Sequence, residues 1–324
     1  MELSRRGRLA RRLLCLTLVT TRLGAQHALS LPPVAPLSPD VADRTGLYVA
    51  PYEDARAGWQ FTSSLEYGSA VERQYTTEGR YLLDEELLRL SLRVQKDLSP
   101  HLFVNLWVGA RGTYAGFADP FLNWVHDRIG LPHQGRQYRP TDTYGDTLWF
   151  YAGPERTRPS EPFFLDDTRL EVGWRHESHW QSLLSLTLPT STASAYGRHV
   201  PTVNLIETVR FLLWDRLTWE STAAIGFSPT TGDFAAWQNE LMALGATGVR
   251  VRLFDGQSIY LRGFYHAPLY SNTPLSSFNQ PYWSADFGWI ARLASGHEIR
   301  GALVEDVHHS DLNIDVVAVV GVTF

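Results

Sequence analysis

One short run of the sequence combines imidazole and hydroxyl groups: His176-Glu177-Ser178-His179. A serine hydroxyl becomes a nucleophile when an imidazole lies within hydrogen-bond reach and a third polar group orients that imidazole. The run falls where the surrounding apolar pattern predicts a tight turn between two strands. We therefore interpret it as a polar turn, with Ser-His chemistry as the alternative.

A second set of charged and imidazole side chains recurs on segments that we expect to meet at one end of the molecule. Its members are Asp84, Glu86, Asp119, His126, Arg136, Glu305 and Asp306. Buried or half-buried charges need partners, so this set is interpreted as a network that anchors a long loop to a barrel rim. The alternative is a polar catalytic pocket, whose weak candidates are Asp84, His126, Arg136 and Asp306.

A third cluster has residue types that bind divalent metals. His308-His309 is flanked by Glu305, Asp306 and Asp311, and imidazoles suit Zn²⁺ whereas carboxylates suit Ca²⁺. The spacing is not diagnostic, and the favoured interpretation is a solvated acidic loop, or carboxylates that hold lipopolysaccharide-bridging cations. No metal and no other cofactor is predicted.

The N-terminus has the order of a secretory signal peptide. A basic region is followed by a short apolar run, Leu13–Val19, and by small residues that predict cleavage after Ala25. The apolar run is too short to span a bilayer. We predict a signal peptide over 1–25, then a flexible, Pro-rich periplasmic leader over 26–45.

Cysteine content and charge narrow the function classes. Cys15 is the only cysteine, so removal of the signal peptide leaves no disulfide framework and no thiolate metal site. The formal charge is −5, and residues 1–25 hold six Arg and one Glu, so 23 basic and 33 acidic residues remain in the mature chain. This acidic balance argues against nucleic acid as a partner.

The C-terminus alternates strictly between apolar and other positions. From Ile314 every second residue is apolar, and the chain stops on Phe324. In a strand these side chains share one face. A terminal Phe on such a strand looks like the signal that the bacterial barrel-assembly machinery reads, here Val320, Val322 and Phe324.

Similar period-two segments of about ten residues recur through 46–324, which is the pattern of a membrane β-barrel. Turns near 98, 178, 215, 256 and 296 are short, whereas connections near 70–79, 111–167, 189–202, 228–240, 268–281 and 304–312 are longer. This alternation predicts short periplasmic turns and long extracellular loops. We predict an all-β protein, a closed antiparallel transmembrane barrel of about 12 strands, with a soluble β-sandwich as the alternative.

The long extracellular loop, about 111–167, contains a helical signal. Apolar residues from Phe121 to Ile129 fall at helical spacing behind Asp119, an N-cap, and Pro120, which suits the first helical position. Gly130 is a C-terminal stop. One short amphipathic helix is predicted over about 120–129.

At this loop the chain resembles an uncharacterised Gram-negative outer-membrane family, domain of unknown function 3187. The residues that carry the resemblance are Phe117–His126, Gly130-Leu131-Pro132, Gly135-Arg136, Leu83–Glu86 and Val304-Glu305-Asp306 with Asp311. The family usually has Gly where Glu85 stands. The resemblance implies an outer-membrane barrel and supplies no biochemical activity.

The expected function is a non-enzymatic narrow channel or passive transporter. A barrel of about twelve strands has room for a narrow pore or a packed interior, with Arg89, Arg93, Glu171 and Arg175 expected in the lumen. The alternatives are a lipid-acting outer-membrane hydrolase and a structural cell-envelope protein. Membrane lipid, lipopolysaccharide and the barrel-assembly machinery are the expected partners, and the sequence leaves the oligomeric state open.

Overall fold

The period-two segments are strands in the computed structural model, which describes residues 31–34, 45–116, 119–129, 142–151, 153–177, 179–306 and 314–324. The strands in these residues are β1 (Trp59–Tyr75), β2 (Gly79–Asp97), β3 (Leu102–Tyr114), β4 (Gly145–Phe150), β5 (Arg156–Thr157), β6 (Phe164–Leu165), β7 (Thr168–Glu177), β8 (Trp180–Leu188), β9 (Thr202–Trp214), β10 (Leu217–Phe227), β11 (Leu241–Phe254), β12 (Gln257–His266), β13 (Tyr282–Arg292), β14 (Glu298–Asp306) and β15 (Ile314–Thr323).

Twelve of the described strands form one closed antiparallel barrel, and β4, β5 and β6 are short additions to it. The first strand pairs with the last, with Thr62 opposite Thr323 and Val71 opposite Ile314. Closure gives both edges a partner, which a sheet in lipid requires because no water is there to bind its backbone groups. The predicted fold class is confirmed.

The outer face of the barrel is apolar. Large side chains such as Leu65, Leu90, Leu205 and Phe287 are exposed, while the residues between them along each strand face inward. Exposed aromatic residues lie near both ends of the strands, among them Trp174 on the side of the short turns. This apolar surface with aromatic borders is the face that a membrane barrel shows to lipid.

The first predicted connection, 70–79, is mostly strand. β1 runs to Tyr75 and β2 starts at Gly79, so the hairpin extends beyond the end of β3 at Tyr114. β4 takes the place of β3 there, because Gly145 to Phe150 pair with the first residues of β2. The alternation fades in this stretch because both faces are covered by protein, which is why the sequence pattern missed it.

Helix α1 (Asp119–Ile129) lies in the long loop between β3 and β7, as predicted. Two of its aromatic side chains, Phe121 and Trp124, are exposed and stack on each other with ring centroids 6.0 Å apart. Among the described residues, none of the helices is long and apolar enough to cross a bilayer.

The long loops cover their end of the barrel with an aromatic cluster. Phe150 of β4 is fully buried, and its ring lies edge-on to those of Phe234, Trp237, Tyr270 and Phe278, with centroids 4.8–6.3 Å away. These partners come from the β10–β11 and β12–β13 connections. Edge-to-face pairs add to the burial of area, so three separate connections are packed into one cap.

Candidate functional site

The lumen is occupied by the chain's own N-terminal part. Residues 45–56, here called the luminal segment, pass through the barrel before β1 begins, and Leu47, Tyr48, Val49 and Ala50 are almost fully buried. Val34 pairs with Val49 through two backbone hydrogen bonds of 2.7 and 3.3 Å. The interior of the barrel is therefore packed rather than open.

This placement differs from the expected flexible periplasmic leader over 26–45. Within that range the structure describes residues 31–34 and Thr45. Leu31 is buried against Tyr260 and Ile290 of the barrel wall, and Thr45 is fully buried. The physical reason is that these apolar side chains find a dry surface inside the barrel, which a leader in the periplasm does not offer.

Side chains of the wall bind the backbone of the luminal segment. Thr208 and Thr222 both donate to the Ala50 carbonyl, at 2.8 and 3.0 Å. The Arg175 Nε group donates to the Glu53 carbonyl at 2.6 Å, and the Asn204 amide donates to the Gly46 carbonyl at 3.2 Å. Buried backbone groups need such partners, and here wall side chains supply them in place of a strand ladder.

Ion pairs hold the end of the segment nearest the short turns. Glu53 pairs with Arg93 at 2.6 Å, with both side chains buried. Asp54 pairs with Arg210 at 2.5 Å, and Arg56 with Glu298 at 2.8 Å. These contacts join the segment to β2, β9 and β14, and thus to strands around the whole barrel.

The Glu53 carboxyl shows the effect of this pairing on its pKa. Burial by itself raises the pKa of a carboxyl group, but attraction to Arg93 and the hydrogen bond from it outweigh burial and leave the pKa of Glu53 below its ordinary value. The Glu53 carboxylate is therefore charged at neutral pH and fixed to the wall.

A cavity of about 120 Å³ remains between the luminal segment and the wall. Its lining residues are Pro33, Leu47, Tyr48, Ser64, Glu66, Arg89, Ser91, Trp107, Val108, Gly109, Arg111, Asp166, Asp167, Arg169, Thr187, Ser191, Tyr196 and Arg198. Apart from Pro33, they come from the luminal segment, from β1, β2, β3, β7 and β8, and from loops on the side of the long connections. The cavity thus combines aromatic walls with several arginines and carboxylates.

Most of the charges around this cavity are paired. Arg89 lies 3.3 Å from Glu66, and Arg111 lies 3.1 Å from Asp166. Arg198 donates to Asp167 at 3.0 Å. Paired charges of this kind stiffen the wall and leave little net field at those points.

The lumen-facing charges expected from the sequence are found there. Arg93, Glu171 and Arg175 are buried in the interior, and Arg89 lines the cavity. Glu171 accepts hydrogen bonds from Tyr48 at 2.8 Å and from Asn105 and Trp107 at 2.9 and 2.8 Å. It therefore links two barrel strands to the luminal segment.

The set expected to anchor the long loop lies partly within the described residues. Asp84, Glu86 and Asp119 are buried. Asp84 accepts a hydrogen bond from Thr143 at 2.9 Å, and Asp119 accepts one from the Asp142 backbone at 3.2 Å. These two contacts attach the end of the long loop to β2 and to α1.

The other members of that set are either exposed or outside the described residues. Glu305 is exposed on the outer face of β14. Arg136 lies outside the described residues, as do the side chains of His126 and Asp306. The anchoring of the loop by these residues stays a prediction, and so does the catalytic alternative.

The His176 run lies at the short turn between β7 and β8, as its sequence position indicated. Ser178 lies outside the described residues, but His176 Nε2 is 2.6 Å from the hydroxyl of Ser182, which itself donates to Glu207 at 2.7 Å. In a catalytic triad the imidazole stands between the serine and the acid. Here Ser182 stands between them and donates its proton to Glu207, so the arrangement is not that of a triad.

The C-terminal residues close the barrel. The Phe324 backbone amide donates to the Phe61 carbonyl at 2.9 Å, while the Phe324 side chain is exposed and lies edge-on to His297 at 5.1 Å. Val320 is exposed on the same outer face, and Val322 is half-buried. All three face away from the lumen, where a recognition signal is accessible.

Metal binding finds no support in the described part of the chain. It contains no group of three or more His, Cys, Asp or Glu side chains placed to hold an ion. His308, His309 and Asp311 lie outside the described residues.

The luminal segment is the element of the candidate site that the sequence pattern did not predict. A usable signal was present, since the apolar run Leu47-Tyr48-Val49-Ala50 directly follows the Pro-rich stretch and precedes the first strand. An apolar run too short for a strand of the barrel needs another buried place.

The fold resembles solved outer-membrane proteins. Over 85% of this chain and 98% of the other, it superposes on the COG4313 outer membrane channel from Pseudomonas putida F1 with a TM-score of 0.54 and 10% identity. The translocator domain of the autotransporter NalP from Neisseria meningitidis (12% identity, 83% of this chain, 89% of the other, TM-score 0.45) and the toluene transporter TodX from Pseudomonas putida (8%, 83%, 90%, 0.44) overlap less well.

No protein-family model matches the chain, and no curated protein matches it either. The first structural comparison, together with the closed strand order, shows that the chain has the fold of an outer-membrane β-barrel channel.

Proposed function

We propose that this protein is a non-enzymatic outer-membrane channel for small solutes, gated by its own luminal segment. The observation that carries the proposal is that residues 45–56 fill a closed barrel without joining its sheet. A segment held by side chains can leave the lumen while the strand ladders stay intact.

The luminal segment and the barrel strands are attached in different ways. The barrel strands are joined by continuous ladders, for example all seventeen residues of β1 to β2. The luminal segment has individual bonds such as Thr208 to Ala50 and Arg93 to Glu53 instead. Regions with fewer cooperative contacts open at lower free energy than the sheet around them.

The barrel size agrees with a narrow passage. Twelve strands enclose a lumen that one extended segment is enough to fill, whereas the open porins have 16 or more strands. The fold it shares with the COG4313 outer membrane channel supports the same assignment.

The test is single-channel recording of the refolded mature chain in a planar bilayer. Its variant pairs Ala50→Cys with Thr222→Cys, positions joined by the 3.0 Å contact of the Thr222 hydroxyl with the Ala50 carbonyl. The mature chain has no cysteine of its own, so the pair is the sole site of crosslinking. We expect brief conductance steps for the parent protein and none for the oxidised cysteine pair. The steps should return when a reductant is added.

Two results would count against the proposal. Silence from folded, inserted parent protein removes the channel. Steps that persist in the crosslinked pair show that the luminal segment is not the gate. A folded barrel is verified by its faster migration on a gel before boiling.

The route to the membrane is part of the proposal. Export with cleavage after Ala25, and recognition of Val320, Val322 and Phe324 by the barrel-assembly machinery, place the protein in the outer membrane in contact with lipid and lipopolysaccharide. The resemblance to domain of unknown function 3187 rests on the same residues as before and is retained as a proposal. Normal assembly of a chain that lacks Phe324 would contradict the assembly signal.

A further inference from the structure

Two neighbouring polar groups in the lumen lack a partner among the described residues. The Arg169 Nε group and the Thr187 hydroxyl are both buried and form no hydrogen bond there. Thr187 is 1% exposed. Most buried polar groups in proteins are bonded, so each exception calls for an explanation, such as a ligand or a water.

The two groups lie side by side. Arg169 on β7 is paired directly with Thr187 on β8, so their side chains project on the same face of adjacent strands. Both line the 120 Å³ cavity. The two side chains therefore border one space.

Aromatic rings hold the Arg169 guanidinium in place. It lies 4.4 Å from the ring centre of Tyr48 and 5.8 Å from that of Trp107. Stacking on aromatic faces orients an arginine without using its N–H groups. Its donors stay available to a molecule in the cavity.

The charge balance of the lining selects a monoanion. The cavity is lined by four arginines and three carboxylates, and the carboxylates are engaged by Arg89, Arg111 and Arg198. Arg169 is the cation of this lining without an ion pair in the described residues. Nearby Glu171 has its oxygens occupied by Tyr48, Asn105 and Trp107.

Size and polarity select an organic anion. A cavity of about 150 Å³ is enough for benzene, so 120 Å³ suits a body of a few carbon atoms. Leu47, Pro33, Tyr48 and Trp107 supply an apolar wall for that body. A phosphate dianion would meet Glu66, Asp166 and Asp167 with too little positive charge to balance it.

We propose that this cavity is a binding site for small monocarboxylates, with Arg169 as the anion-binding residue and Thr187 as a second donor. The inference rests on the proposed channel, since it names the solute class that the channel would pass. The luminal segment forms part of the site through Leu47 and Tyr48, so a bound solute contacts the gate itself.

Isothermal titration calorimetry on the refolded mature chain in detergent tests the site, with sodium butyrate as the probe and 1-butanol as the neutral control. We expect saturable one-to-one binding of butyrate and none of 1-butanol. Arg169→Gln should weaken butyrate binding at least tenfold, and Thr187→Val about three- to tenfold. Thr187→Ser, which keeps the hydroxyl, should stay close to the parent.

The matched control is Arg128→Gln. Arg128 also lies over an aromatic ring, that of Trp124 at 5.7 Å, but it is exposed on α1 and outside the cavity. This variant removes the same charge and should bind butyrate like the parent. Each variant is checked for heat-modifiable gel mobility, so loss of folding is told apart from loss of binding.

Three outcomes would overturn the site: no saturable heat from folded parent protein, as when water alone fills the cavity; equal binding by Arg169→Gln; or equally strong displacement of butyrate by chloride or inorganic phosphate. The measurement does not depend on conduction. Conductance steps without butyrate binding would remove this site and keep the channel, whereas butyrate binding by a silent barrel would remove the channel.

Discussion

Arginine side chains in two regions of the lumen have different kinds of partner. At the Glu53–Asp54 end of the luminal segment, Arg93 is joined to a carboxylate of that segment, and Arg210 likewise. Near the long loops, Arg169 faces a cavity and lies on the Tyr48 ring of that segment, and none of the described carboxylates forms an ion pair with it. The first region holds the luminal segment in place, and the second leaves a cation available to bind a solute.

The comparison shows that burial of an arginine does not by itself define its role. A buried charge with a buried partner stabilises one arrangement, and removal of one partner leaves the other uncompensated. A charge held by aromatic rings keeps its donors free for exchange with a ligand. The contrast between Arg93 and Arg169 predicts effects of different size and sign.

The largest expected effect is that of Arg93→Gln. It removes the arginine from a buried ion pair with Glu53, which typically costs about 3–5 kcal/mol, so the luminal segment should leave the lumen far more often. Single-channel open probability and protease cleavage within residues 45–56 should both rise. Arg89→Gln, four residues along the same strand and paired with Glu66 instead, is the control and should leave the cleavage unchanged.

A protease pattern identical to that of the parent in Arg93→Gln would show that the ion pair does not hold the segment. Other contacts would then hold the luminal segment, and Arg93 would not differ from Arg169 in this respect.

The combined change Thr208→Val and Thr222→Val should have a smaller effect in the same direction. Both hydroxyls donate to the Ala50 carbonyl, and a buried carbonyl left without a partner costs about 1–3 kcal/mol. Amide hydrogen exchange of the segment should accelerate. Thr247→Val, on the outer face where Thr247 accepts a bond from Trp219, should not alter it.

Low pH should weaken the ion pair between Glu53 and Arg93. Because the pKa of its carboxyl is lowered in the folded state, its stabilising effect is complete above the ordinary value of about 4.3 and is lost as pH falls through the lowered pKa. Open probability measured from pH 7 downward should therefore rise below about pH 4. Glu53→Gln should already be more open at pH 7 and should lack this carboxyl's contribution to the acid response.

The smallest effect is predicted for Thr187→Val, and it has the opposite sign. Val has nearly the shape of Thr and removes a buried hydroxyl without a partner in the described residues, so stability in the absence of solute should be unchanged or higher by up to about 1 kcal/mol. The urea midpoint for loss of heat-modifiable mobility reports it. A clear loss of stability would mean that this hydroxyl already has a hydrogen-bond partner, as the Thr208 hydroxyl does.

Much of the fold was predictable because membrane strands carry local information. The alternation at Leu88–Val94 and at Ile314–Phe324 identified strands, and the short turn at Asp255-Gly256 fixed a hairpin. The α1 helix followed from Asp119 and Pro120 at its start. The extension of the β1–β2 hairpin beyond β3 was not predicted, because protein covers both faces of this stretch and removes the alternation.

The candidate site was less predictable. Asp84 and Asp119 were singled out and are buried, yet their described contacts are with Thr143 and with the Asp142 backbone. The residues that carry the proposed binding, Arg169 and Thr187, have no spacing that marks them in the sequence. Their meeting depends on the register between β7 and β8.

The sequence by itself determined the barrel. In each strand, side chains that face lipid alternate with side chains that face the lumen, and this period of two is visible in the strand's own sequence. Only the tertiary structure decided that residues 45–56 enter the lumen. Their partners, such as Gln181 and Thr222, lie more than a hundred residues away, and such contacts leave no periodic trace. Whether a lumen arginine is paired or left to a solute is likewise settled by packing, since it depends on which carboxylate the folded chain places beside it.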